Sequence, residues 1–290
     1  MRLLLRQQNF QAFKAYVDNS YSKQDVSFTW ELLRTVVSGY QEGMVKVDAK
    51  DSTSRAKELY LYRLNLITSG NQIIFYDLQK KKIDDRSYMT FETEEIFRSE
   101  KAMSDLERKF KDIYTVDLNY NDLFQNSIVY GRHCGIAGEN PEYLQKLDVL
   151  LENQDVEEIS RWLKSANAEK QLYAIRGYKY LASQGYKLSE EEKGLLTIAG
   201  KKDGLVSVCS GCTYWSEDFQ TVLSEISSSS VDDLKPEKPR EMYGIGLGGH
   251  SARKKSYPFT TILGMSALFL ISVYNLLKYI RSRRHATGKG

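Results

Sequence analysis

Residues 140–185 read NPEYLQKLDVLLENQDVEEISRWLKSANAEKQLYAIRGYKYLASQG and carry the clearest periodicity in the chain. Asn140 before Pro141 is a helix start, because proline is pre-set for a first turn and asparagine caps it. Leu144, Leu147, Leu150 and Leu151 then recur at helical spacing, and Asn153 closes the run. Asp155 followed by Glu158 has the spacing of a capping box, opening a second helix through Val156, Ile159, Trp162 and Leu163. A third helix is expected from Ala168, with Leu172, Ile175, Tyr178 and Leu181 on one face and Gly185 at its end. Ser189 and Glu192 repeat the capping-box spacing ahead of Leu195, Leu196 and Ile198.

Helices this short, joined by brief turns, make antiparallel hairpins, the unit of an α-solenoid. VEEISRWLKSANAEKQLYAIRGYKYLASQG has a helix ending in leucine, a Ser/Asn/Ala turn, then a helix with the small Ala174 among large residues. In this it resembles a HEAT-like repeat over about residues 145–185. The resemblance implies a scaffold that binds another protein, of unspecified identity. A solenoid needs three or more units; one is readable, so a compact helical bundle is the alternative.

Towards the N-terminus, residues 2–19 predict a helix with Leu4, Leu5, Phe10, Phe13 and Val17 apolar, and 27–39 a second with Trp30, Leu33 and Val37 inward. Met44–Val47, Leu59–Ile67 and Ile73–Tyr76 favour β-structure, and Ser69-Gly70-Asn71 suits a hairpin turn between the last two. Residues 92–113 predict a charged helix with Ile96, Met103, Leu106 and Phe110 inward, and Lys80–Lys82 reads as a solvated edge. The fold class expected is therefore mainly α: a mixed α+β region at 1–130 containing a β-hairpin, and a helical, HEAT-like region at 131–226.

The net charge of +3 is unevenly spread. Residues 227–290 hold 11 Lys/Arg against 4 Asp/Glu, which leaves 30 basic and 34 acidic residues in 1–226. A mildly acidic body offers nothing to a phosphate backbone, so no nucleic-acid partner is expected. Residues 227–256 are rich in Ser, Pro, Gly and charge, without a period, and read as a flexible linker. The glycines at 244, 246, 248 and 249 lack the preceding strand and following helix of a dinucleotide fingerprint.

Phe259 to Leu277, FTTILGMSALFLISVYNLL, is 19 residues without a charge. As a helix it spans about 28 Å, close to a bilayer's hydrocarbon thickness. Pro258 can start it, Arg253-Lys254-Lys255 and Lys278, Arg281, Arg283 and Arg284 flank it, and Tyr257 and Tyr279 stand at the two interfaces. The expectation is a single-pass transmembrane helix at 257–280 with a basic tail at 281–290, the lipid bilayer being the first partner. The three-residue apolar run of MRLLLRQQ is too short for a signal peptide. A tail anchor with the large N-terminal domain in the cytosol is the expected topology, although the basic tail slightly favours the reverse.

The only chemically suggestive set holds all three cysteines. Cys209-Ser-Gly-Cys212 is a CxxC, and His133-Cys134 lies about 75 residues earlier. Two thiolates in a CxxC can converge on one ion, so Cys134, Cys209, Cys212 and His133 are candidate ligands of a tetrahedral zinc. A redox CxxC is a second reading, but thioredoxin-type chemistry wants a helix start within a βαβ unit, which this stretch does not offer. In an extracytoplasmic domain a Cys209–Cys212 or Cys134-linked disulfide is expected instead. His250 and His285 lie in the linker and tail, and no GxSxG, HExxH, Walker loop or kinase set occurs. Asp84-Asp85 and Glu94-Glu95 are explained by turns and surface. The function expected is a membrane-anchored protein-binding scaffold or adaptor. The alternative is a membrane-bound thiol-active or zinc-dependent enzyme centred on the CxxC.

Overall fold

The computed structural model describes residues 1–20, 26–50, 59–83, 89–135 and 138–237. The described residues belong to one compact unit; residues 240–290 are divided from it and lie outside the described residues.

Five strands, β1 (Val26–Val37), β2 (Tyr40–Lys50), β3 (Leu59–Ser69), β4 (Gln72–Ile83) and β5 (Met89–Arg98), form an antiparallel meander in sequence order. The expected hairpin is its β3–β4 pair, with Ser69 opposite Gln72 and Gly70 at φ 55° in a two-residue turn that needs a left-handed first residue. Helices α1 (Arg2–Arg6) and α2 (Phe10–Asn19) cover one face, where Leu5, Phe10, Phe13 and Val17 bury against Val45, Val47, Leu64, Leu66 and Leu78. Against the other face, α3 (Glu100–Tyr114) packs Met103, Leu106, Phe110 and Tyr114 on Val36, Ile67 and Ile74. Each such side chain contributes about 1.5–3 kcal/mol on burial.

The chain then makes β6 (Tyr130–Cys134), helices α4 (Glu142–Glu152), α5 (Val156–Leu163), α6 (Ala168–Ser183) and α7 (Glu190–Ala199), strands β7 (Leu205–Gly211) and β8 (Thr213–Asp218), and helices α8 (Phe219–Ser228) and α9 (Val231–Leu234). β6, β7 and β8 form a second sheet in that order, β6–β7 parallel and β7–β8 antiparallel. Helix α6 is the axis of this half. It packs on α4 and α5 at one side and on β7 and α8 at the other, burying Leu172, Tyr173, Ala174 and Tyr178.

These elements correct the mainly α expectation: the protein is α+β with a large antiparallel sheet. The HEAT-like repeat is overturned, because α6 is enclosed by strands as well as helices and the elements after α7 are β7 and β8, not a further helical pair. Residues 27–37 lie in β1 and 38–39 in the turn after it, not in a helix; bulges at Trp30/Leu32 and Thr35/Val37 gave the apolar residues of β1 a false helical spacing. The helix expected over 92–113 divides at Ser99 into β5 and α3, and Ile96, expected inward, is 62% exposed. Residues 2–19 break at Gln8, which stands at φ 55° between α1 and α2. Among the described residues no helix is long and apolar enough to cross a membrane. The span expected at 257–280, its basic tail and the linker beyond residue 237 lie outside them. Within the described part, the linker expectation is corrected up to Glu237: Leu234 of α9 is buried, and Asp233 and Glu237 are bonded to the body.

One ionic cluster joins the two halves. The Arg34 side chain on β1 is fully enclosed, donating from Nε to Glu42 Oε1 on β2 at 2.7 Å and from Nη1 to Glu169 Oε2 on α6 at 2.6 Å. Burial works against its charge, but Glu169 and Glu42 raise its pKa above the ordinary arginine value. Glu169 also accepts from the Ser207 amide on β7 at 2.9 Å, and Glu42 from the Phe124 amide at 2.7 Å. Gly204 lets the two halves approach: at φ 104°, a Cβ there would stand 2.3 Å from the Leu33 carbonyl oxygen. Lys202 lies in the same region, 3% exposed, its Nζ without a hydrogen bond and 5.8 Å from the Tyr114 ring centroid.

Burial, and then the charge of Arg34, push the Lys202 pKa down to about 7. An unfolded lysine titrates near ~10.4, so between about pH 7 and 10 the unfolded chain binds the proton that the folded chain has lost, and stability rises with pH. From pH 7 to 9.5 this predicts a gain of about 3 kcal/mol, before the buried tyrosines begin to act in the opposite sense. Urea unfolding at both pH values checks it: Lys202→Met should flatten the rise, and parallel profiles would show that Lys202 keeps its proton.

Candidate functional site

The second sheet gathers the chemically distinctive residues. β6 and β7 pair in parallel, with Gly131 opposite Cys209 and Cys134 opposite Gly211. Gly131 is required there, because a Cβ would meet the Cys209 carbonyl oxygen at 2.1 Å. A register shift between Arg132 and Cys134 leaves His133 at φ 53°, a left-handed position that is uncommon outside glycine. Beyond it the Cys134 amide donates to Glu139 O at 2.7 Å and the Gly135 amide to Gly211 O at 2.6 Å.

This register makes Cys134 and Cys209 a disulfide, with Cα atoms 5.7 Å apart and a sequence separation of 75. Cys212 is an exposed free thiol in the β7–β8 turn. His133 turns elsewhere, its Nε2 lying 3.5 Å from Glu237 Oε1. Of the four candidate zinc ligands, the structure thus joins two to each other, and their sulfurs carry no thiolate charge in that bond. Among the described residues no group of three or more His, Cys, Asp or Glu side chains is arranged around a common point for a metal.

The disulfide borders a cleft of about 270 Å³, lined also by Asn140, Pro141, Tyr143 and Tyr214. On the neighbouring side a groove of about 300 Å³ runs between β1 and β8, lined by Trp30, Glu31, Asn126, Ser207, Tyr214 and Trp215. Tyr214 is common to both. Strand β8 pairs only with β7, so among the described residues its outer edge carries no strand. Successive residues of a strand point to opposite faces, and here both faces are open: Tyr214 is 60% exposed and Trp215 43%. Trp215 Nε1 donates to Glu217 Oε2 at 3.2 Å, and Glu31, Glu217 and Asp218 make the surroundings acidic.

A polar cluster fastens the last described residues beside β6. Arg132 donates to the Asp233 carbonyl and to Glu237 Oε1, Arg176 to the same carbonyl, and Asn140 Nδ2 to Glu237 Oε2 at 3.1 Å. Asp148 on α4 accepts from the Glu237 backbone amide, and burial nevertheless raises its pKa to about 6.

Sequence reading found all three cysteines but missed the β8 edge. Its signal was available: Ser210-Gly211 is a turn dipeptide between Val206–Val208 and the aromatic pair Tyr214-Trp215. No family model, curated protein or solved structure matches this chain.

The disulfide closes a long loop, which restricts the unfolded chain by an amount worth about 4 kcal/mol. Reduction, or Cys134→Ser with Cys209→Ser, should lower unfolding stability in urea by about that much. Cys212→Ser should leave it unchanged. A loss below about 1 kcal/mol on reduction would show that the bond contributes little to the fold.

Proposed function

We propose that the chain is a membrane-anchored protein-binding module that takes an extended segment of its partner along the outer edge of β8. The observation that supports this most is the strand itself, unpaired at its outer edge among the described residues, with the exposed Tyr214 and Trp215 on its two faces. Unpaired edges are templates for strand addition, where main-chain hydrogen bonds supply affinity and alternate side chains supply specificity. Natural proteins blunt such edges with lysine, proline or a covering element; TYWSED has neither residue. Glu31, Glu217 and Asp218 favour a partner segment that is basic as well as apolar.

Anchoring rests on the sequence, on the uncharged stretch 259–277 and its basic flanks. The Cys134–Cys209 bond supports presenting the folded unit on the oxidising side of that membrane, since disulfides persist there and are rare in the cytosol. This orientation reverses the cytosolic expectation and accords with the basic tail.

Panning the detergent-solubilised full chain against displayed random peptides tests the binding reading. Extended basic-aromatic or basic-aliphatic sequences should be enriched, and Ser216→Pro, which removes an edge amide, should weaken them about tenfold or more with the melting temperature unchanged. Equal enrichment on the wild type and this variant would overturn it. Topology is read from Cys212: a membrane-impermeant maleimide should label it from the non-cytosolic side only. Labelling from the cytosolic side would return the domain to the cytosol.

A further inference from the structure

We propose that Arg132, Asn140, Asp148 and Arg176 form a second recognition site, which takes an acidic peptide segment of a partner protein and which this chain's own residues 230–237 fill when no partner is bound. The contacts of the present occupant decide the ligand class. Arg132 and Arg176 both donate to one main-chain carbonyl, that of Asp233. Arg132 donates also to Glu237 Oε1, Asn140 Nδ2 donates to Oε2 at 3.1 Å, and His133 Nε2 stands 3.5 Å from Oε1. Burial opposes the Glu237 charge, yet Arg132 and Asn140 hold its carboxyl below the usual carboxylate range. Asp148 accepts from the Glu237 backbone amide. The site therefore reads a carbonyl, a carboxylate and an N–H together. A free phosphate would suit the arginines but bring no donor to Asp148, whose charge would repel it. A peptide with an acidic side chain supplies all three groups. Leu234, 1% exposed and three residues before the acid, adds an apolar anchor.

This chain's own segment leaves donors over. Arg176 is 5% exposed, and Arg176 Nε and Arg132 Nε are both buried without a hydrogen-bond partner. Two guanidiniums share one uncharged carbonyl, and only Arg132 reaches the Glu237 carboxylate. Buried donors without acceptors are costly, so a partner segment carrying a further carboxylate near the Asp233 position satisfies the site better than the resident one.

The resident segment can also leave without unravelling what precedes it. Helix α9 is one turn of four residues, and Glu237 is 32% exposed. The end of α8 is held separately by Lys179 Nζ, which donates to the carbonyls of Ile226, Ser227 and Ser229 at 2.6–2.7 Å. Opening at Ser230 keeps those three bonds. Asn140 lines the cleft beside the disulfide as well as holding Glu237, so the vacated donors stand at the rim of that cleft. Binding here does not depend on docking at β8.

Fluorescence anisotropy on the detergent-solubilised full chain tests this, with a labelled peptide of residues 229–238, SSVDDLKPEK. Leu234→Ser with Glu237→Gln in the chain weakens the resident segment, so this variant should bind the peptide saturably and about tenfold or more tighter than the wild type. Glu237→Gln alone should rank between them, which preserves the comparison if the double variant unfolds. Adding Arg132→Gln should abolish binding to the opened chain, and Glu237→Gln in the peptide should weaken it about tenfold or more. A peptide with Val231, Asp232, Lys235 and Pro236 all replaced by alanine should bind within about threefold of the parent, because a recognition site reads the acid, the leucine and the main chain. Inorganic phosphate should compete no better than chloride at equal ionic strength. No saturable binding to the opened chain, or binding indifferent to Arg132, would overturn the site. Loss of binding by the alanine peptide would show that the segment belongs to this fold alone, and strong competition by phosphate would show a bare anion site; either result overturns peptide recognition.

Discussion

The enclosed Arg34 guanidinium is the constraint on which the arrangement of the two sheets depends. It sits between Glu42, its neighbour on the first sheet, and Glu169, 135 residues later at the start of α6. Desolvating three charges is costly and is offset only when geometry and hydrogen bonding are nearly complete. Here the carboxylates take additional bonds from Phe124 and Ser207, so β1, β2, the segment after α3, α6 and β7 meet around one cation. Truncating Arg34 would leave two buried carboxylates without their main partner, a worse outcome than never having buried them. The apolar layers on either side make the halves fold; this cluster fixes how they register.

The helices of the second half were legible because their signals are local. Asp155, Asn167 and Ser189 each accept an amide three residues ahead, as capping residues should, and α5, α6 and α7 begin where those side chains sit. What could not be read was their company. A helix pair with a small residue at its crossing suits a solenoid and an α+β body equally well, because periodicity reports that one face is buried and not what buries it. Strand β1 failed for a sharper reason. Its two bulges interrupt the period of two, so Trp30, Leu33 and Val37 fall at helical spacing in a segment rich in Val, Thr and aromatic residues. β5 failed through composition: three glutamates in ten residues look like a helix surface, yet pairing with β4, and ion pairs from Arg2 to Glu94 and Arg6 to Glu95, hold them on a strand.

The cysteines show the same division between chemistry and placement. Their types and spacing marked the site from sequence, but CxxC spacing drew attention to Cys209 with Cys212. The pairing that occurs depends instead on a parallel contact between β6 and β7, a non-local feature with no short-range signature. The open β8 edge is a further consequence of that contact: β7 has β6 on one side and β8 on the other, and nothing among the described residues follows β8 into the sheet.

The same small sheet also receives the end of the folded unit, which bears on how a tether would act on it. The last described residues are held through Arg132 on β6 and Arg176 on α6, by bonds to the Asp233 carbonyl and to a Glu237 carboxylate about one-third exposed. Partly exposed ion pairs of this kind contribute on the order of 1 kcal/mol or less. Leu234 beneath them is buried and adds an apolar hold of comparable or greater size. Tension entering after Glu237 would therefore be expected to peel residues 230–237 before it disturbed β6. Beyond that point the load would pass along the chain to α8, which follows β8 directly and is held by the buried Phe219, Val222 and Ile226, so this helix stands between the tether attachment and the β8 edge.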